Sequence, residues 1–267
     1  MFTVETDIHE CLEHDTHILF SCEPRLPVLI VCDHASCAIP PELADLGMDK
    51  SDLATHIGWD IGAGAVACRL GAMLQVPVVL ASTSRLVVDC NRTLDDPSAF
   101  PEVSDGQIVP GNQNLSAADR AGRADAYYWP YHHAIRDQLQ SMESLAAAPA
   151  ILAIHSFTPQ MDGLQRPWHV GALWDKDSRI AVPFMEALRG DPEMVVGDNE
   201  PYSGKHPADF TLDHHAEAEG LPHLAVELRQ DLIEDGRGAE RWAGIIAKAL
   251  QPTLEDRSLY TLRAGIV

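Results

Sequence analysis

Short apolar runs alternate with amphipathic stretches along the chain. Runs of four to seven residues predict buried β-strands at residues 27–32, 76–81, 151–154, 170–174 and 223–229. Small and apolar residues at helical spacing over 60–76 predict a buried helix between the first two of these strands. A strand, a helix and a second strand form a parallel crossover unit, so we expect an α/β fold.

Further helices follow from the same spacing. Residues 178–189 and 239–250 predict two of them, and Ser116 begins a longer stretch that continues to residue 145. Pro130 lies well inside this stretch, so we expect a kink or a break there. The segment 95–115 is rich in Pro, Asp, Gly and Asn and has no period. A loop of that length in a compact domain is typical of a lid or a binding loop.

Length and charge narrow the class of protein. The 267 residues are enough for one α/β domain with a large core, so we expect a single domain over 1–267 in which 1–26 is a polar, acidic lead-in. The net charge of -21 argues against nucleic acid or an anionic membrane as partner. No apolar run reaches about 18 residues, and the first residues lack the order of a signal peptide. We therefore expect a cytoplasmic protein, and its oligomeric state stays open.

Two histidines follow predicted strands. His34 comes two residues after the strand at 27–32, and His155 comes directly after the strand at 151–154. Ligands bind at the carboxyl ends of the strands in open α/β sheets. One such histidine is more often a structural residue, but two on neighbouring parallel strands would converge on one crevice. Two imidazoles and a carboxylate would then form the protein part of an open catalytic zinc site.

Charged residues also interrupt the apolar runs. Alternation places Glu227 and Arg229 on one face of the last strand, where they either form an ion pair or act as a base and an anion-binding group. Arg85 and Arg92 flank the apolar residues 86–88. The planar fork of arginine suits carboxylate recognition, and a structural salt bridge is the alternative for each of them.

Five separated motifs occur in order along the chain, at residues 33–40, 56–62, 84–92, 154–157 and 227–233. Together they resemble the N-formylglutamate amidohydrolase family, over roughly residues 27–250. The resemblance implies a mixed, mostly parallel sheet flanked by helices, of the zinc-carboxypeptidase-like (phosphorylase/hydrolase-like) kind. It also implies cleavage of the amide of a small anionic N-acyl amino acid in histidine degradation. N-formyl-L-glutamate, which would give formate and L-glutamate, is the first choice.

The resemblance also implies roles for single residues. His34 and His155 would bind zinc or another divalent metal. The carboxypeptidase pattern has a Glu three residues after its first His, and Cys37 stands there in this chain. Asp60, which precedes the first predicted helix, is our first choice for the third ligand, and Cys37 is the second. Capping that helix is the alternative role of Asp60.

The remaining roles concern the substrate. By the same resemblance, Glu227 would be the general base, Arg85 would stabilise the oxyanion, and Asn91 with Arg92 would hold the substrate carboxylate. Further substrate contacts are expected from Ser156, Tyr202 and Arg229. Tyr202 and the pair His214 and His215 offer either substrate contacts or loop packing.

Two alternatives remain for the function. One is a related zinc deacylase or carboxypeptidase that acts on another N-acyl amino acid or on a peptide. The other is a non-catalytic protein that binds a small ligand in the same pocket. A bound metal together with Glu227 separates an enzyme from a binding protein, because a binding protein needs neither.

Overall fold

The computed structural model describes residues 16–205 and 210–263 and contains a seven-stranded central sheet. In chain order the strands are β1 (His17–Phe20), β2 (Val28–Cys32), β3 (Val78–Ala81), β4 (Ala150–Phe157), β5 (Val170–Leu173), β6 (Val196–Asp198) and β7 (His223–Arg229). Across the sheet they are ordered β1-β3-β2-β4-β7-β5-β6. The neighbours β3, β2, β4 and β7 run parallel, as do β5 and β6, whereas β1 and β5 pair antiparallel with β3 and β7. The expected mixed, mostly parallel sheet is confirmed.

Helices cover both faces of the sheet. The longer ones are α1 (Ala63–Leu74), α2 (Ala117–Arg123), α3 (Trp129–Ser141), α4 (Ala181–Leu188) and α5 (Gly236–Leu254), and short ones span Lys50–Leu53 and Phe210–Leu212. Alternate residues of β2 enter opposite cores: Ile30 packs with α1, α4 and α5, and Val31 packs with α3. Both faces are therefore buried, which explains the continuous apolar runs. No helix in the described part of the chain has the length and apolar character to cross a membrane.

The structure corrects some predicted boundaries. The strand predicted at 151–154 continues to Phe157, because Ser156 and Phe157 pair with residues of β7, so His155 lies within β4 and not after it. Strands β1 and β6 were not predicted. The first is a four-residue edge strand inside the lead-in, and the second has three residues including a glycine and an aspartate. Residues 1–15 of the lead-in lie outside the described residues.

The long helix that was predicted to kink or break near Pro130 is continuous and contains a π-helical turn there. A π-helical turn, Ala124–Tyr128, separates α2 from α3, and Pro130 lies in the first turn of α3. The residues before Pro130 are already helical, so its missing N–H removes one donor at the junction of the π-helical turn with α3. Ser116 caps α2 in a capping box with Asp119, in which each side chain accepts a hydrogen bond from the backbone N–H of the other residue.

The loop predicted at 95–115 has an anchored base and a hairpin. The hairpin pairs Val103–Ser104 with Gln107–Ile108. At the base, buried Arg123 donates hydrogen bonds to Asn112 Oδ1 at 2.6 Å and to the carbonyl of Val87 at 3.2 Å. This network fixes the loop to the segment that carries Arg85 and Asn91.

Gly62, which precedes α1, generates a test of the fold. Its φ is +82°, and a Cβ there would lie 2.2 Å from the carbonyl oxygen of Ile233. We expect Gly62→Ala to lower the free energy of unfolding by more than about 2 kcal/mol, measured by urea denaturation. Gly122→Ala is the control, because a Cβ at Gly122 in α2 meets nothing within 4 Å. It should raise stability by about 0.5–1 kcal/mol. Equal midpoints for the two variants would contradict the strained conformation of Gly62.

Candidate functional site

The two predicted histidines lie at the carboxyl edge of the parallel strands. Strands β2 and β4 are direct neighbours, with Val31 opposite Ala153. His34 follows β2, His155 lies near the end of β4, and their ring centroids are 5.2 Å apart. Both side chains are buried. The expected convergence of two imidazoles on one crevice is therefore present.

Asp60 joins the two histidines. Its Oδ2 atom lies 2.9 Å from His155 Nδ1 and 3.3 Å from His34 Nδ1. Within the described residues, these three form the group that could hold a metal ion, and their ligand atoms lie within 4.8 Å of one another. Cys37 is not part of this group, so the structure favours Asp60 as the third ligand.

Two further carboxylates lie behind the histidines. His34 Nε2 is 2.8 Å from Asp89 Oδ1, and His155 Nε2 is 3.1 Å from Asp33 Oδ2. A carboxylate on the outer ring nitrogen fixes the tautomer of a histidine and leaves the other nitrogen as ligand. His34 is therefore arranged to bind through Nδ1, and the Nδ1 atom of His155 lies beside the same Asp60 oxygen. Sequence reasoning missed these roles, although a carboxylate directly after an apolar run was the available signal at both positions.

The ionisation of this cluster follows from its contacts. Burial acts to raise the pKa of Asp33, but the close contact with His155 outweighs it and lowers that pKa to about 2. The pKa values of Asp60 and Asp89 are also lowered, because His34 and other cations overcome their burial. Conversely, burial acts to lower the pKa of His155, and the two flanking carboxylates raise it well above its ordinary value. The carboxylates stay ionised, and the site favours added positive charge.

The charge balance provides a test of whether a metal fits. Arg85 binds Asp89 through Nη2 at 3.0 Å and approaches Asp60 through Nη1 at 3.3 Å. With neutral histidines, the carboxylates of Asp33, Asp60 and Asp89 against one guanidinium leave an excess of two negative charges. One divalent cation, or two protons on the imidazoles, removes this excess. Two imidazole nitrogens and one carboxylate oxygen are also a donor set of catalytic zinc sites, so the residues fit such an ion.

Hydrogen bonds from distant parts of the chain hold the outer carboxylate Asp33. Its Oδ1 atom accepts hydrogen bonds from Tyr131 Oη at 2.9 Å and from Thr211 Oγ1 at 2.6 Å. The backbone N–H of Thr211 also donates to Asn91 Oδ1 at 3.1 Å. Thr211 therefore links the histidine partner to a predicted substrate-binding residue. The motifs did not reveal either Tyr131 or Thr211.

The histidine pair considered for substrate contacts lies elsewhere. His215 Nε2 is 3.0 Å from His132 Nδ1, and the Nε2 of His132 donates to the carbonyl of Cys90 at 3.0 Å. His214 stacks on the ring of Phe210. Neither His214 nor His215 lines the cavity described next, so loop packing describes them better.

A cavity of about 670 Å³ opens above the candidate metal group. Glu227 lines it and lies opposite His155 in the pairing of β7 with β4. The loop at 95–115 forms part of the wall, and the hairpin residue Asp105 contacts His56 at 3.0 Å near the mouth. The predicted binding loop thus faces the site.

Most of the residues predicted to contact substrate line this cavity, namely Arg85, Asn91, Arg92, Ser156 and Tyr202. Ser156 donates its hydroxyl to the carbonyl of Ile61 at 3.0 Å, and its N–H lies 3.3 Å from Asp60 Oδ2. Arg229 is not among the lining residues, and its guanidinium binds Asp231 at 2.8 Å and 3.3 Å. The structure does not bring Arg229 to the predicted site.

The fold and the site together define an α/β protein with a buried histidine–carboxylate centre at the carboxyl edge of its sheet. The family model described as N-formylglutamate amidohydrolase matches residues 26–234. The chain therefore belongs to the N-formylglutamate amidohydrolase family and is a hydrolase that acts on amide bonds.

Solved structures are similar to this chain to different degrees. A gene product of Agrobacterium tumefaciens is 33% identical, with a TM-score of 0.86 over 92% of this chain and 97% of its own. An N-formylglutamate amidohydrolase from Ralstonia eutropha is 20% identical, with a TM-score of 0.57 over 91% of this chain and 97% of its own, and shares the fold. An aspartoacylase family protein from Mesorhizobium loti reaches a TM-score of only 0.36, at 15% identity over 87% and 61% of the two chains. No curated protein sequence matches the chain significantly.

The histidine–carboxylate centre generates a prediction about metal content. Purified protein should bind about one divalent ion per chain, and both His34→Ala and His155→Ala should lose it, because each removes one of three ligands. Metal analysis of the dialysed proteins provides the measurement. His133→Ala is the matched control, since that exposed histidine stacks on Trp129 away from the site. Wild-type metal content in both ligand variants would show that the ion does not bind here.

Proposed function

We propose that this chain is a metal-dependent amidohydrolase that cleaves N-formyl-L-glutamate to formate and L-glutamate. Zinc is the first choice among divalent ions for His34, Asp60 and His155. The observation that carries the proposal is the position of buried Glu227 directly across from His155, in the same cavity as these three residues. A carboxylate beside a metal group is the arrangement that hydrolysis by activated water requires.

The reaction adds one water across the amide C–N bond. A divalent ion bound at the site would polarise the formyl carbonyl and lower the pKa of the attacking water. Glu227 accepts a proton from that water as the water oxygen bonds to the acyl carbon. It then gives the proton to the leaving nitrogen as the C–N bond breaks, which releases formate and glutamate.

Two arginines have separate roles in this proposal. Arg85 binds Asp89 and Asp60 and lines the cavity. The side of its guanidinium that faces the cavity stabilises negative charge on the acyl oxygen of the substrate. Arg92 and Asn91 hold the substrate carboxylate. The Nη1 of Arg92 donates to the carbonyl of Asn91 at 2.8 Å, and Tyr128 donates to the carbonyl of Arg92 at 2.9 Å, so the backbone here is fixed.

A second candidate is a related deacylase with a larger N-acyl amino acid or a peptide as substrate. The volume of the cavity favours it. N-formylglutamate has about 12 non-hydrogen atoms, so it is a small ligand for a cavity of about 670 Å³. A panel of N-formyl and N-acetyl amino acids, assayed with the metal-loaded protein, decides between the two. Highest kcat/KM for N-formylglutamate supports the first choice, and no hydrolysis of any member removes the amidohydrolase proposal.

The role of Glu227 predicts the behaviour of Glu227→Gln. This change keeps the shape of the side chain but removes the base, so kcat should fall by roughly 100-fold or more while the metal is retained. Steady-state kinetics and metal analysis on the same sample measure both effects. Glu219→Gln, at an exposed position, is the control and should leave kcat unchanged. Turnover of Glu227→Gln within a few-fold of wild type would exclude Glu227 as the base.

The role of Arg92 predicts a change in specificity. Arg92→Ala should lower kcat/KM for N-formylglutamate by roughly 30- to 1,000-fold, because a charged hydrogen bond to the substrate carboxylate is lost. The neutral amide analogue should lose much less. Arg136→Ala removes an exposed arginine and provides the control. An unchanged ratio between acid and amide substrates would make Arg92 a structural residue.

A further inference from the structure

Arg166 contacts four residues that line the cavity but does not line it itself, and these contacts of its guanidinium are with neutral groups. Its Nη1 donates hydrogen bonds to Tyr202 Oη at 3.0 Å and to Thr158 Oγ1 at 3.3 Å. Its Nη2 lies 2.7 Å from Met161 Sδ. The guanidinium carbon is also 4.9 Å from the centre of the Tyr202 ring and 5.9 Å from that of Phe157. Among the described residues, no carboxylate forms a salt bridge with this cation.

Each of these partners faces the site. Phe157, Thr158, Met161 and Tyr202 all line the cavity, whereas Arg166 does not. The arginine therefore contacts the wall without lining it, and the side chains that it holds connect it to the cavity. Of these, Tyr202 has the strongest hydrogen-bonding group and two separate contacts with the guanidinium, a hydrogen bond to its oxygen and a cation–π contact with its ring.

The direction of the Tyr202–Arg166 hydrogen bond has a chemical consequence. Arginine has only donors, so the phenol oxygen must accept, and the hydroxyl hydrogen of Tyr202 is directed away from Arg166. A hydrogen bond accepted from a cation polarises the phenol and makes it a stronger donor. Burial and the nearby charge of Glu227 raise the pKa of Tyr202, and Arg166 opposes them. Tyr202 therefore remains a neutral donor.

We propose that Arg166 is a positioning residue that fixes Tyr202 with its hydroxyl hydrogen directed into the cavity, where Tyr202 donates to an anionic oxygen of the substrate. The identity of that substrate rests on the function proposed above. Sequence reasoning assigned Tyr202 to substrate binding or loop packing and did not consider Arg166. The contacts of Arg166 supply a reason for the first of these alternatives.

A double-mutant cycle tests this relation. Arg166→Met and Tyr202→Phe should each lower kcat/KM by about 10-fold, the effect of one charge-assisted hydrogen bond. In the Tyr202→Phe background, Arg166→Met should have no further effect. Arg166→Lys, which keeps a cationic donor, should recover part of the loss. An undiminished effect of Arg166→Met in the Tyr202→Phe background would overturn the proposal, because Arg166 would then act by another route.

Controls separate positioning from general damage. Arg189→Met removes an arginine directly after α4 that also contacts a methionine sulfur, at 3.7 Å, and it should leave kcat/KM unchanged. Thermal unfolding of each variant shows whether the fold is kept. The kinetic constants then show which oxygen is bound. A rise in KM that disappears with the neutral amide substrate indicates a carboxylate, and a fall in kcat with both substrates indicates the oxyanion.

A spectroscopic measurement is independent of catalysis. Ionisation of Tyr202 in metal-free protein is followed by tyrosinate absorbance, as the difference between wild type and Tyr202→Phe. The absorbance difference between Arg166→Met and the Arg166→Met/Tyr202→Phe double variant reports the same ionisation without the arginine. In this pair Tyr202 should ionise at a higher pH than in the wild type, because the ionised phenol loses its cationic partner. An unmoved titration would overturn the proposed contact. If the wild type hydrolyses no N-acyl amino acid but the titration moves, the proposed function fails and the positioning of Tyr202 by Arg166 stands.

Discussion

The attraction between buried carboxylates and the groups that must compensate them organises this site. Asp33, Asp60 and Asp89 are all buried within contact distance of the two histidines. An uncompensated buried charge costs several kcal/mol, so each carboxylate requires a cation or a set of hydrogen-bond donors. Arg85, Tyr131 and Thr211 supply part of this compensation. The remaining excess negative charge lies on the carboxylates beside the two histidines, and a divalent ion bound there would complete the balance.

The sheet makes this concentration of charge feasible. The histidines and Glu227 come from the adjacent parallel strands β2, β4 and β7 or the residues just after them, so their positions are set by backbone hydrogen bonds and not by mobile loops. Asp60 enters from the turn before α1, where its N–H donates to the carbonyl of His34 at 3.0 Å. The left-handed conformation of Gly62 then lets the chain turn closely against Ile233 and begin α1. Backbone geometry therefore fixes the ligand atoms before any ion binds, and such preorganisation favours binding.

The sequence predicted the parts of this arrangement that depend on local pattern. Long apolar runs identified β2, β3, β4, β5 and β7, and the residues just beyond two of them identified His34 and His155. The short strands β1 and β6 depend on pairing at the sheet edges, so their own residues carry little signal. The sequence pattern did not identify the residues behind the histidines for a related reason. Thr211 and Asp33 are 178 positions apart along the chain, and no local pattern relates two such residues. Arg229 was missed for a different reason: its partner Asp231 is only two positions away, and alternation in the strand does not show which neighbour an arginine will bind.

The acidity of the whole chain and the anionic substrate that we propose are compatible because electrostatic interactions are local. Salt at physiological strength screens exposed charges beyond about 8 Å, so most of the net charge of -21 contributes little inside the cavity. The groups nearest the substrate therefore determine its binding. The positive charge of Arg85 is already balanced by two carboxylates, whereas Arg166 contacts only neutral groups. The charge of Arg166 is therefore still able to attract an anion. The Tyr202 hydroxyl, polarised by Arg166, can donate to an anion in the cavity although the guanidinium does not line it. In the functions that we propose, Arg85 and Arg166 thus differ because their partners differ in charge.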